Sequence, residues 1–172
     1  MKQTKTKKLI LTAILTAAAL VAFTIEAAIP PLTPIYGIKL GIANVFTLFT
    51  LYAVGKPYAA AVLFLRITLG SIFTGQLVSF IYSLTGGVLS FLLMLLLRRF
   101  FPVKQLWVLS ALCAVMHNAG QLAAAMLMTS TVQLIYYLPV LIVSGIIAGV
   151  FTGLCAQLVL LRMNTEKLIL GG

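Results

Sequence analysis

Glu26, Arg66 and His117 each lie within a long apolar run, where an ionisable side chain needs a reason to be. On an insertion scale such a group costs about 2.5–3.5 kcal/mol at the centre of a membrane helix. Glu26 falls about 25 Å along a helix that starts near Leu9, close to its far end. Arg66 and His117 fall near the middle of their runs. Lys39, Asn44, Gln76, Tyr82, Asn118 and Tyr136 come at similar depth, and Gln121 stands one turn beyond His117 on the same face. The cations and donors of this set outnumber its one carboxylate. That balance suits a small, amphipathic ligand carrying a carboxylate, a phosphate or an electron-rich ring. The competing account is structural: Glu26 and Arg66 pair to hold helices together, His117 is a satisfied core residue, and Tyr136 anchors at the membrane interface.

Other chemistry lacks its residues. The acidic residues are Glu26 and Glu166, and there is no aspartate to hold magnesium for diphosphate transfer. No phosphate loop, GxSxG elbow or HExxH pair occurs. One histidine with Cys113 and Cys155 far apart does not close a zinc site, and both cysteines read as buried free thiols. The expectation is a binding protein with no catalytic residues, no cofactor and no metal.

The elements that position the polar set follow from composition. The chain has 172 residues, 62% hydrophobic and 8% charged, with mean hydropathy +1.17. A soluble domain carries about 25% charged residues, so the solvent here is lipid. The net charge of +10 would suggest nucleic acid in a soluble protein; here the cations sit in short clusters at the ends of apolar runs. The basic start followed by an apolar run resembles a signal peptide, but no small-residue cleavage site closes the run before Glu26, so it reads as a retained helix. The reading is a single all-α membrane domain over 1–172. Its six transmembrane helices cover approximately 9–29, 38–54, 58–74, 77–97, 105–128 and 134–161, the second at the low limit of length. The break between the third and fourth rests on Gly75 and Gln76.

Charge tests that count. With the N-terminus inside, Lys2, Lys5, Lys7, Lys8, Lys56, Arg98, Arg99, Lys104, Arg162 and Lys167 are cytoplasmic, out of 12 cations. The positive-inside rule then places both termini in the cytoplasm and requires an even number of spans. A reporter fused after Gly172 should be active with a cytoplasmic marker and silent with an external one; the reverse pattern excludes this topology. Small residues mark close helix approaches. Ala13 and Ala17, with Ala18 and Ala22, form overlapping AxxxA pairs, and Gly145, Gly149 and Gly153 recur every four residues. The glycines read as internal packing. The alanines pack internally or meet a partner.

Four segments carry a family resemblance: PIYGIKLGIANVFTLFTLYAVG from Pro34, FIYSLTGGVLSF from Phe80, HNAGQL from His117 and YYLPVLIVSG from Tyr136. They resemble a bacterial family known both as Gx transporter and as heptaprenyl diphosphate synthase component I, over roughly Lys8 to Leu161. Size, span count, basic start and AxxxA are also similar to the substrate-binding S components of energy-coupling factor transporters. That second resemblance implies a vitamin-like ligand captured from outside and capped by Pro30–Leu40. It also implies Ala13 and Ala17 against a coupling subunit, separate ATPases, and a place in the bacterial cytoplasmic membrane. The alternatives are a non-catalytic membrane subunit linked to heptaprenyl diphosphate or quinone metabolism, or a flavin- or quinone-binding component of a membrane redox system.

Overall fold

The computed structural model describes residues 4–28, 41–75 and 77–163, all of them helix and turn. In chain order the helices are α1 (Lys5–Ala28), α2 (Asn44–Ala53), α3 (Lys56–Thr74), α4 (Leu77–Leu97), α5 (Leu106–Thr129) and α6 (Leu138–Arg162). Short 3-10 turns at Val103–Gln105 and Val132–Tyr137 lead into α5 and α6.

Five of these helices are long and apolar enough to cross a membrane. The exception corrects the expected second span. Over the described part of 38–54 the chain makes a turn through Gly41–Ala43 and then a helix of 10 residues. Such a helix is about 15 Å long, half the hydrocarbon layer. Thr47 to Ala53 are all buried, against α1, α3, α5 and α6. The segment is apolar because it sits inside the bundle, and hydropathy does not distinguish that from contact with lipid.

The other boundaries follow local rules. The break between α3 and α4 is made by Gly75 at φ +65°, a left-handed conformation that ends a helix at little cost to glycine. Pro57 and Pro139 occupy the first turns of α3 and α6, where no N–H is missed. The sixth helix begins at Leu138 rather than 134, because Tyr136 and Tyr137 belong to the preceding 3-10 turn.

Each long helix buries one stripe. On α1 it runs Thr12, Thr16, Ala19, Phe23 and Glu26, at steps of four and three. The threonine hydroxyls are satisfied within the helix, Thr12 on the Lys8 carbonyl at 2.7 Å and Thr16 on that of Thr12 at 2.8 Å. On α3 the stripe includes Ala59, Val62, Leu63, Arg66, Ile67 and Gly70. The opposite faces display Ile14, Val21, Phe73, Leu127, Ile147 and Phe151, each more than half exposed. An apolar exterior around a polar interior belongs in a bilayer.

Glycines set the α5–α6 contact. A Cβ added at Gly149 would lie 2.6 Å from the Ala111 Cα, and one at Gly153 2.5 Å from the Trp107 Cα. The GxxxGxxxG stripe is therefore internal packing, as its spacing suggested. Ala13 and Ala17 are exposed on α1, away from its buried stripe. Cys113 is buried, but Cys155 is exposed, which corrects the reading of both as buried thiols.

Candidate functional site

Lys5, Lys7, Lys8, Lys56, Arg98, Arg99, Lys104 and Arg162 stand at the helix ends that form one basic side of the bundle. Arg66 lies about 15 Å along α3 from Lys56, and His117 about 16 Å along α5 from Leu106. Both are therefore near mid-depth. The short α2 rises from the basic side to the same level, so its N-terminus opens inside the bundle.

That N-terminus is the centre of the site. The N–H groups of Gly41 and Ile42 both donate to Glu26, Gly41 to Oε1 and Ile42 to Oε2 at 3.1 Å. A helix start is the favourable end for a carboxylate, because its first N–H groups have no partner within the helix. Arg66 donates through Nη2 to Oδ1 of Asn44, the first residue of α2, and its charge is felt by Glu26. Gly41 lies over the His117 ring: at φ +79° a Cβ there would come 2.7 Å from Asn44 Nδ2 and 3.0 Å from His117 Cδ2. A larger residue would be strained and obstructed. His117 Nε2 lies 3.0 Å from the Gln121 side-chain amide. Gly86 of α4 closes the other side, its Cα so near that a Cβ would reach His117 O at 2.6 Å.

Polar demand exceeds supply here. Arg66 is 2% exposed and His117 2%, yet among the described residues Arg66 Nε and Asn44 Nδ2 are buried with no hydrogen-bond partner. Each such atom costs about 1–3 kcal/mol. A cavity of about 10 Å³ continues from Asn44 toward Ser90, Ser110, Cys113 and Thr152, enough for roughly one water. Ser110 and Thr152 hydrogen bond across it at 3.1 Å.

The structure thus brings together Glu26, Asn44, Arg66, His117 and Gln121 from four helices. Asn118 turns instead toward α6, donating to the Leu141 carbonyl at 2.7 Å. Tyr82 is buried in an apolar cluster with Leu122, Ala125 and Leu141. Tyr136 does not reach the centre. It is 81% exposed in the turn before α6, where a ring with a polar tip suits the membrane interface. Lys39, Gln76 and the whole of the expected cap Pro30–Leu40 lie outside the described residues. Sequence reasoning missed Gly41 and Ile42, which contribute only backbone, and Ser90, Ser110 and Thr152. The three hydroxyls had a faint signal, since each falls on the inward stripe of its helix.

An apolar exterior, five membrane-length helices and a polar centre at mid-depth define a multi-pass α-helical membrane protein. More particularly, the chain belongs to the heptaprenyl diphosphate synthase component I family, whose model matches residues 15–159. Comparison with curated proteins and with solved structures gives no match.

Proposed function

We propose that the protein is a non-enzymatic, membrane-embedded binding subunit of a transporter, taking a small anionic or amphipathic ligand from the side opposite its basic face. One observation carries this reading: Arg66, Asn44 and His117 converge on a buried helix N-terminus, with Arg66 Nε and Asn44 Nδ2 left unpaired among the described residues. A purely structural ion pair has no use for such surplus, which a ligand would satisfy. The chain has no ATP-binding motif, so energy for uptake would come from separate subunits. With its exposed AxxxA pair, α1 is the face they would meet.

Mass spectrometry of the protein purified in mild detergent should find a retained small anion, and Arg66→Gln should lose it while remaining monodisperse. Equal retention by both proteins removes the argument. The partner face is tested separately. Ala13→Leu with Ala17→Leu should leave stability near the wild-type value but weaken co-purification with membrane partners. A folding defect instead would show that the alanines act within the chain.

The family's printed name favours a second reading, an accessory membrane subunit for heptaprenyl diphosphate synthesis. Its catalytic aspartates would have to be supplied by another chain, since this one has none. Co-purification of a soluble prenyl synthase, rather than of ATPases, would favour it.

A further inference from the structure

The arrangement at the start of α2 identifies what kind of anion the site takes. Gly41 and Ile42 place consecutive N–H groups on the two oxygens of one carboxylate. This fork matches a planar, bidentate acceptor. The left-handed Gly41 makes it possible, and the nearby Asn44 and His117 side chains leave no room for a Cβ. Beside it stands the cation Arg66, 2% exposed, with Nη2 on Asn44 and Nε without a partner among the described residues.

We propose that this is a monocarboxylate site, and that Glu26 is its tethered occupant, displaced when the carboxylate of a ligand enters. The identification deepens the binding reading above and rests on it for the ligand, although the anion site is testable without one. One full positive charge is balanced by one carboxylate. A phosphate dianion would bury a further negative charge with no second cation opposite it among the described residues. Exchange of one carboxylate for another leaves the charge and hydrogen-bond count at the α2 N-terminus unchanged. Glu26 lies in the last turn of α1, so a displaced side chain is near the surface opposite the basic face.

The test is thermal unfolding of purified Glu26→Ala in formate, acetate, phosphate or chloride at matched ionic strength. The variant should melt below wild type. Formate and acetate should raise its melting temperature saturably, recovering most of the loss, as ligands of the folded state do. Phosphate and chloride should not, and wild type, its site already filled, should not respond. Glu26→Ala with Arg66→Gln should be insensitive to all four. Where Glu26→Ala does not accumulate, Glu26→Gln serves: its neutral amide is a weaker occupant, and formate should stabilise it at higher concentration. Absence of a carboxylate-specific response in either variant, or an equal response in wild type, overturns the proposal. Rescue by formate without any ligand retained by wild type would instead leave the anion site standing and remove the transport reading.

Discussion

Arg66→Gln lowers the stability of the protein by about 3–5 kcal/mol, the cost of leaving a buried charge without its counter-charge. The guanidinium is buried between α2 and α3, bound to Asn44 and under the influence of the Glu26 carboxylate. Its removal leaves the buried Glu26 carboxylate, which accepts from the Gly41 and Ile42 amides, without that positive charge. Glu26→Gln alone should also be costly, because it leaves the buried Arg66 charge without its counter-charge, although the amide oxygen still accepts from one N–H and Arg66 keeps Asn44. The double variant, Glu26→Gln with Arg66→Gln, should recover most of the Arg66→Gln loss, since it buries neither charge. Melting curves for both singles and the double give the coupling energy, and ligand content on the same samples separates support of the fold from recognition. Full recovery with ligand still bound would show that the pair only holds helices together.

Gly149→Val gives the other large loss, at or above the upper end of the 1–3 kcal/mol typical of overpacking. Its Cβ would meet the Ala111 Cα at 2.6 Å and the Ser110 carbonyl oxygen at 2.8 Å. Both are backbone atoms, so the whole of α5 must move. The displacement would spread to Ser110 and Thr152, whose hydrogen bond crosses the same interface. Gly149→Ala should be milder but of the same sign. Val143→Ala, at an exposed site on α6, serves as the control. Should Gly149→Val melt with the wild type, the close approach of α5 and α6 would not be what holds this half of the bundle.

These effects are large because the interior was specified at two levels, and only one is visible along the chain. Apolar runs, proline and glycine punctuation and the grouping of cations were enough to place α1, α3, α4 and α5 within a few residues, because lipid demands long uninterrupted helices. The stop at Gly75 was legible for the same reason: glycine at a helix end has a local cause. Glu26, Arg66 and His117 announced themselves by cost, since an ionisable group in an apolar run is rare unless something compensates it.

What the tertiary structure decided was which faces meet. Residues 42–54 are apolar whether they touch lipid or protein, and only the packing of α1, α3, α5 and α6 around them shows α2 to be a buried half-helix. Gly41 and Ile42 act through backbone N–H groups, which every residue but proline carries, so no side chain could signal them. Tyr136 and Asn118 shared the depth of the polar set, yet the 3-10 turn before α6 leaves Tyr136 outward, and the packing of α5 on α6 puts Asn118 on the Leu141 carbonyl. Depth along a helix follows from counting residues. Direction around the bundle depends on neighbours distant in the chain, and it is direction that makes Glu26, Asn44, Arg66 and His117 one site.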